Sequence, residues 1–342
     1  MQKNKLLLIY TGGTIGMIQD PETGSLQPFQ LSKIYEDAPL LKRINCQIDS
    51  YSFDPLIDSS NMRPELWVQL AEVIKERYDD YDGFVVLHGT DTMAFTASML
   101  SFMLENLAKP VILTGSQLPL GMLRSDGRDN LISATEIASS KEVVVPEVCI
   151  YFENRLYRGN RTVKINAENF EAFISGNHPS LAKSGIHLKY RKDLLLKPAN
   201  FPLKVYTELD SNIAILTLYP GISEKVVRTI LGIEGLKGVV LQSYGSGNAP
   251  TDQWFIDCLT AAIEKGIIIY NVTQCKYGSV DIGKYQTSSV LGRIGVVSGY
   301  DITTESAVAK LMFLLGNYQD KTKIIELLET PLRGEMTVVQ KD

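Results

Sequence analysis

Several features that the sequence lacks exclude whole classes of protein. Its 342 residues include only four cysteines, far apart and without a CxxC pair, and three histidines, none at a spacing typical of metal ligands. The cysteine pattern argues against a disulfide framework and predicts reduced thiols in a cytoplasmic protein. The histidine pattern argues against a zinc site. The four cysteines are Cys46, Cys149, Cys258 and Cys275.

The chain also lacks a basic stripe and a long apolar run. Its 34 lysines and arginines are intermixed with 39 aspartates and glutamates, for a net charge of −5. Neither nucleic acid nor a membrane is therefore expected as a partner. The apolar run from Leu6 to Ile9 is too short for the core of a signal peptide, and no run approaches the length of a membrane span.

What is present is an alternation of apolar strand-like runs with segments of helical spacing. The strand-like runs lie in KLLLIYTGG, YDGFVVLHGTDT, KPVILTGSQ and EVCIYFENRLYRG, and the helical ones in PELWVQLAEVIKERY, MAFTASMLSFML and DNLISATEIAS. This order predicts an α/β fold over residues 1–190, with a larger, doubly wound, mostly parallel sheet and helices on both faces. A charged, proline-punctuated stretch predicts a linker at 191–212, and renewed alternation predicts a smaller α/β domain over 213–342.

Four polar turns follow strands of the first predicted domain: TGGTIG, DSSNM, HGTDT and TGSQ. In open α/β sheets, ligands bind beyond the carboxyl ends of the strands, where such turns meet. One turn of this kind can be an ordinary helix cap. Several of them in one domain favour a functional site.

The first of these turns is either a phosphate cradle or a turn that displays a hydroxyl. Gly12, Gly13 and Gly16 are spaced GGxxG, which is not the dinucleotide fingerprint, and no GK[ST] follows. The segment MIQDPETGSLQPFQ is too rich in proline, glycine and glutamine to form the helix whose N-terminus would bind a phosphate. The pattern favours a displayed hydroxyl, from Thr11 or Thr14, followed by a lid loop.

A threonine nucleophile needs a base and a stabilised oxyanion. Thr90 and Asp91 in HGTDT supply a second hydroxyl and a carboxylate, and Lys164 in RGNRTVK supplies a cation. A closed pocket lowers the pKa of a lysine, yet lysine is also the residue type most often left in solvent. The residues alone therefore predict a hydrolase with a hydroxyl nucleophile, and leave Lys164 open between a base and a surface charge.

These motifs, in order, resemble the bacterial-type L-asparaginases of the cytoplasmic type I branch. The likeness is carried by YTGGTIG, DSSNM, HGTDTMAFTASML, TGSQLPLGMLRSDGRDN and ENRLYRGNRTVK, and it continues through YPGIS, SYGSGNAP and NVTQC. It covers nearly the whole chain. The resemblance implies hydrolysis of L-asparagine to L-aspartate and ammonia without a cofactor, by a homodimer or homotetramer.

The resemblance also implies roles for individual residues. Thr14 would attack the side-chain amide and form a β-aspartyl ester, and Lys164 would act through the Thr90 hydroxyl to activate water. Asp91 would accept the α-ammonium group of the substrate. The α-carboxylate would be held by the turn of Asp58, Ser59 and Ser60. Asn248 in SGSGNAP would reach the site from a neighbouring subunit, although an ordinary asparagine in a glycine-rich turn is an equal alternative.

Two departures from the family pattern stand out. Many members have a lid tyrosine after GGTIG, but here Ser25 lies near that place and no tyrosine precedes Tyr35. The group that takes the Thr14 proton is therefore open between Lys164 through Thr90 and a lid backbone group. Some type I members also have an allosteric asparagine site, with an arginine where this chain has a glutamine, which cannot replace the charge of an arginine fork. The residues of that tentative site are Gln242, Thr273, Gln274, Cys275 and Thr304.

Two other functions remain as alternatives. Glutamine differs from asparagine by one methylene, worth about 1–3 kcal/mol in a pocket, so a mixed glutaminase-asparaginase is the runner-up. A non-catalytic amino-acid-binding sensor on the same fold is the alternative from another class. The presence of Thr14, Thr90, Asp91 and Lys164 together argues against the sensor.

Overall fold

The computed structural model describes residues 3–19, 26–28, 38–281 and 286–338. The chain divides into two compact units, Met1–Thr207 and Glu208–Asp342. The linker expected at 191–212 stays a prediction. Within that range, Lys204 and Val205 form a short strand that pairs with Leu104–Glu105.

The first unit is built on a sheet of eight strands with mixed direction. The described strands of the whole first unit are β1 (Asn4–Tyr10), β2 (Met17–Gln19), β3 (Leu26–Pro28), β4 (Cys46–Ser52), β5 (Gly83–Leu87), β6 (Leu104–Glu105), β7 (Val111–Thr114), β8 (Val148–Phe152), β9 (Arg155–Arg158), β10 (Val163–Lys164), β11 (Phe173–Ile174), β12 (Ala182–Lys183), β13 (Lys189–Tyr190) and β14 (Lys204–Val205). The large sheet has the order β13-β12-β9-β8-β7-β5-β1-β4. The strands β2 and β3, β10 and β11, and β6 and β14 form three two-stranded ribbons.

Five strands of the large sheet, from β4 through β8 in its spatial order, are parallel. Every residue of β5, β7 and β8 is buried, as expected for strands covered on both faces. The described helices of this unit are α1 (Pro64–Glu76), α2 (Met93–Met103) and α3 (Gly127–Ala138). The parallel sheet with its helices confirms the predicted fold class.

The remaining three strands extend the sheet, and each pairs antiparallel with its neighbour. The alternation of strands and helices did not predict these antiparallel pairs. The strands β8 and β9 form a hairpin in which Glu153 and Asn154 have φ values of 44° and 61°. Two successive residues with positive φ are typical of the turns that join antiparallel neighbours. The segment EVCIYFENRLYRG therefore contains two strands, followed at the edge by β12 and β13.

The second unit has a smaller, wholly parallel sheet with the order β15-β16-β17-β18. Its strands are β15 (Ile213–Thr217), β16 (Gly238–Ser243), β17 (Ile268–Thr273) and β18 (Val297–Ser298). Its helices are α4 (Glu224–Leu231), α5 (Gln253–Glu264), α6 (Gln286–Arg293), α7 (Thr304–Asn317) and α8 (Lys321–Leu328). Side chains of Ser223, Thr303 and Asp320 cap the N-termini of α4, α7 and α8, which satisfies backbone donors that the helices leave free.

A buried ion pair fastens the end of the second unit to α7. The Lys310 ammonium lies 2.7 Å from a carboxylate oxygen of Glu335, and both side chains are 0% exposed. The same ammonium donates to the carbonyls of Leu328 and Thr330. Because every charge in this cluster has a partner, removal of one member leaves the other buried and unpaired.

We predict that Lys310→Met lowers the free energy of unfolding by about 3–5 kcal/mol, the usual cost of breaking a buried pair. The matched control is Lys323→Met, because Lys323 pairs with Glu326 on the exposed face of α8 and exposed pairs contribute about 0–1 kcal/mol. Urea unfolding of both variants measures the difference. Equal losses in the two variants would contradict the buried-pair interpretation.

Candidate active site

Glycine residues bring the polar turns of the first unit into backbone contact. An added Cβ on Gly12 would lie 2.1 Å from the Ile57 carbonyl oxygen, and one on Gly13 would lie 2.5 Å from the Gly89 nitrogen. Both glycines also have positive φ, 139° and 91°, which other residues rarely adopt. The turn after β1 therefore packs directly against the turns after β4 and β5.

The same kind of contact continues to the other turns. A Cβ on Gly89 would lie 2.4 Å from the Ser59 hydroxyl oxygen, and one on Gly115 would lie 2.4 Å from the His88 carbonyl oxygen. The Thr92 hydroxyl donates to the Ser59 carbonyl at 2.7 Å. All four turns singled out in the sequence thus meet at the carboxyl ends of the parallel strands.

Lys164 joins this cluster from β10. Its ammonium lies 2.8 Å from the Thr90 hydroxyl and 2.7 Å from an Asp91 carboxylate oxygen. The Lys164 side chain is 17% exposed and that of Asp91 is 67% exposed. Because the Asp91 side chain is largely exposed, the ion pair adds little to the free energy of unfolding. Its main effect is to fix the position of the Lys164 ammonium beside a hydroxyl and a carboxylate.

Thr14 begins a short 3₁₀ turn, Thr14–Gly16, directly after Gly13. The buried Tyr10 hydroxyl donates to the Gly16 carbonyl at 2.9 Å and so fixes the end of that turn. Burial raises the pKa of Tyr10 to about 12, so this phenol stays protonated at neutral pH. Thr14 and Thr90 each directly follow one of the two glycines in contact, Gly13 and Gly89.

The turn of Asp58, Ser59 and Ser60 borders the same cluster. The Asp58 carboxylate accepts hydrogen bonds from the Ser60 backbone N–H at 2.9 Å and from the Ser60 hydroxyl at 2.8 Å. These bonds lower the pKa of Asp58. Ser59 is buried beneath the turn, whereas Asp58 and Ser60 are exposed.

Gln117, which lies in the fourth turn, was not predicted as a site residue from the sequence. The Thr90 hydroxyl donates to its amide oxygen at 3.3 Å, and its amide nitrogen donates to the Asn169 carbonyl at 3.1 Å. TGSQ was recognised as a polar turn, but neither period nor spacing indicates which of its side chains faces another turn.

A buried hydrogen-bond chain that starts at His88 was likewise not predicted from the sequence. The His88 ring bonds the Gly89 carbonyl through Nδ1 at 2.7 Å and the Thr96 hydroxyl through Nε2 at 3.0 Å, and Trp67 Nε1–H donates to the same hydroxyl at 2.9 Å. A carbonyl only accepts, so Nδ1 carries the proton of the neutral ring and Nε2 accepts from Thr96. Burial lowers the pKa of His88 to about 4. The neutral ring thereby supports the turn that holds Thr90.

We predict that His88 makes stability fall with acidification. Because the folded-state pKa lies below the ordinary 6.5, the unfolded state binds more protons, and stability is lost as pH falls from about 6.5 toward 4. Between pH 7 and pH 5 this one group costs about 2 kcal/mol. The free energy of unfolding is measured at both pH values for wild type and for His88→Gln. Its loss between pH 7 and pH 5 should be about 2 kcal/mol larger in wild type, because glutamine does not titrate. Parallel pH dependences would contradict the assignment.

The sequence matches the family described as "Asparaginase, N-terminal" over residues 5–196 and "Glutaminase/Asparaginase C-terminal domain" over residues 212–328. The chain belongs to the asparaginase family. This confirms the resemblance indicated by the motifs.

Individual relatives of this family show how far the likeness extends. The chain is 46% identical to L-asparaginase 1 of Escherichia coli K12, over 98% of this chain and 99% of that protein. L-asparaginase I of Vibrio cholerae has a solved structure that matches with a TM-score of 0.91 at 41% identity, covering 98% of this chain and 100% of that one. The mouse 60 kDa lysophospholipase is 42% identical, over 99% of this chain but 64% of that protein. Because these names differ, family membership alone does not fix the substrate.

Within the second unit of this asparaginase-family chain, Gln242, Gln274 and Thr304 lie together. The Gln242 amide accepts from the Thr217 hydroxyl at 2.5 Å and donates to the Thr304 hydroxyl at 2.8 Å. The Gln274 amide donates to the carbonyls of Leu218 and Gln242. These amides bond to the protein itself, and the allosteric role of the group stays a prediction.

The other residues singled out in the second unit lie at the end of β17 and in turns. The Thr273 hydroxyl donates to the Gly245 carbonyl and accepts from the backbone N–H of Cys275, whose side chain is exposed. Asn248 closes a tight turn by a pair of backbone hydrogen bonds with Tyr244. Its expected reach into a neighbouring subunit stays a prediction.

Some sequence-based expectations fall outside the described residues. Ser25 and Tyr35, which bear on the lid tyrosine, lie in such segments. Within the described ranges, no group of three or more histidine, cysteine, aspartate or glutamate side chains is placed to hold a metal ion. None of the helices described has the length and apolar character needed to span a bilayer.

Proposed function

We propose that this protein is an L-asparaginase that hydrolyses L-asparagine to L-aspartate and ammonia through a β-aspartyl ester on Thr14. The observation that carries the proposal is the Lys164 ammonium at 2.7–2.8 Å from both Thr90 and Asp91. That arrangement places a lysine of β10 beside the hydroxyl and the carboxylate of the turn that packs against the Thr14 turn. The relatives named L-asparaginase support the substrate class.

In the first step, the Thr14 hydroxyl oxygen attacks the side-chain amide carbon of asparagine. The C–N bond breaks, the hydroxyl proton goes to the leaving nitrogen, and ammonia departs. Backbone N–H groups near Thr14 and Thr90 stabilise the oxyanion, which is the usual requirement of acyl transfer. The proton passes either through Thr90 and Lys164 or by a lid backbone group.

In the second step, water attacks the ester carbonyl carbon. The water proton moves to the Thr90 oxygen as the Thr90 proton moves to unprotonated Lys164. The ester C–O bond then breaks, the proton returns to Thr14, and aspartate leaves. The sum is one water consumed and one ammonia released for each asparagine.

The substrate's two charges need separate partners. Asp91 offers a carboxylate to the α-ammonium group in a charge-assisted hydrogen bond. For the α-carboxylate, we assign the contact to Ser59 and Ser60, because the Asp58 carboxylate is itself negative and accepts two hydrogen bonds from Ser60. Asp58 would then orient Ser60 toward the substrate.

A mixed glutaminase-asparaginase is the second candidate, favoured by the family description that names both activities. The family resemblance also supports a cytoplasmic location and a homodimer or homotetramer in which Asn248 of a neighbour completes the site. The tentative allosteric group lacks the arginine charge that would bind a carboxylate bidentately. A hyperbolic asparagine curve is expected on that account.

Thr14→Ala should lower the rate of ammonia release from asparagine by about 10³-fold or more, since it removes the nucleophile. Aspartate binding, measured by calorimetry, should remain. Thr14→Ser is the matched control, because it keeps a hydroxyl at the same position and should retain measurable turnover.

Wild-type rates with both amides separate the alternatives. Asparagine should be preferred over glutamine by about 10- to 200-fold in kcat/KM, the usual value of one methylene. Comparable values would favour the mixed enzyme, and no turnover of either amide with intact binding would favour a sensor. Thr14→Ala at the wild-type rate would refute the mechanism.

A further inference from the structure

Gln117 has its side chain held in a single orientation by two neighbours. Its amide nitrogen lies 3.1 Å from the Asn169 carbonyl oxygen, and its amide oxygen lies 3.3 Å from the Thr90 hydroxyl. A backbone carbonyl only accepts hydrogen bonds, so the nitrogen of Gln117 must face Asn169. Its oxygen then faces Thr90, and the Thr90 hydroxyl must be the donor.

The backbone at Gln117 is held as well. The Asp126 carboxylate accepts from the backbone N–H of Gln117 at 3.0 and 3.1 Å and from that of Leu118 at 3.1 Å. Asn130 donates to the same carboxylate at 3.2 Å and to the Gly115 carbonyl at 3.1 Å. A side chain on so well supported a turn loses little freedom when it bonds Thr90.

The hydrogen bonds around Thr90 therefore run in one direction. Lys164 donates to the Thr90 oxygen at 2.8 Å, and Thr90 donates onward to Gln117. The hydroxyl proton of Thr90 points away from Lys164. The lone pairs of the Thr90 oxygen are therefore available to Lys164 and to a proton from water. This is the hydrogen-bonding state expected once Lys164 has received a proton.

We propose that Gln117 is a positioning residue for hydrolysis of the acyl-enzyme, through its amide oxygen as acceptor for the Thr90 hydroxyl. The inference rests on the proposed function. In that step Thr90 gives its proton to unprotonated Lys164 and takes one from the attacking water. Gln117 then accepts a hydrogen bond from the hydroxyl carrying the new proton, which leaves the oxygen lone pairs toward the protonated lysine.

Two substitutions separate this role from a structural one. Gln117→Met keeps the length of the side chain but removes both the acceptor and the donor to Asn169. Gln117→Glu keeps an acceptor for Thr90, loses the donor to Asn169 and adds a negative charge. Gln47→Met is the matched control, because Gln47 is an exposed glutamine on β4 whose amide donates to the Asp49 carboxylate at the edge of the large sheet.

The decisive measurement is the decay of the Thr14 ester, followed by rapid acid quench and intact-protein mass after mixing with asparagine. Gln117→Met should slow this decay about five- to tenfold, the effect of one hydrogen bond. Its kcat/KM reports the steps through ester formation: it should be unchanged where the Thr14 proton passes by a lid backbone group, and should fall with the decay rate where that proton passes through Thr90. Gln117→Glu should recover most of the decay rate when each variant is measured on the plateau of its own pH profile, and Gln47→Met should match wild type.

Other outcomes would overturn the proposal. An unchanged decay rate in Gln117→Met would show that Thr90 needs no such acceptor. An equal loss in the Met and Glu variants would indicate a purely structural contact to Asn169. Failure of the proposed function is distinct from these, because wild type would then form no ester on Thr14 at all.

Discussion

The contact between Gly13 and Gly89 is the constraint on which the candidate site depends. Any side chain on Gly13 would come within 2.5 Å of the Gly89 nitrogen, so the two turns approach as closely as backbones can. Thr14 and Thr90 are the next residues along the chain from this contact. The parallel strands bring the turns to one edge of the sheet, and the glycines close the remaining distance between them.

The supporting side chains keep these turns in place from behind. His88 holds the Gly89 carbonyl from the buried side, Asp126 holds the backbone of Gln117, and Tyr10 holds the end of the Thr14 turn. All three side chains form hydrogen bonds to backbone groups of the turns, and these bonds fix positions that loops alone would leave variable. Lys164 comes from β10, outside the four turns, and its short bonds to Thr90 and Asp91 add the charge.

Much of the fold followed from the sequence because alternation of buried strands and helices leaves a clear pattern. The antiparallel strands β9, β12 and β13 did not, since β12 and β13 have two residues each and so short a segment has no period. For the site, the residues alone indicated that hydroxyl and carboxylate side chains lie at the ends of the strands. They could not pair Lys164 with Thr90, 74 positions away, and the resemblance supplied that link.

Gln117 and His88 show why the rest was missed. Each acts through a contact with a residue of another turn or helix, and no local spacing encodes such a partner. A polar side chain directly after a buried strand, as His88 is after β5, was the signal available. Asn248 and the tentative allosteric group remain predictions because their roles need a second subunit or a ligand.

The most direct test of the account compares kcat/KM for ammonia release from asparagine in Gly13→Ala and Gly185→Ala. A Cβ on Gly185 would meet nothing within 4 Å, whereas one on Gly13 would displace the Gly89 turn. A shift of about 1 Å between catalytic groups costs about 10²-fold. The account predicts at least that loss in Gly13→Ala with wild-type values in Gly185→Ala. Wild-type activity in Gly13→Ala would contradict it.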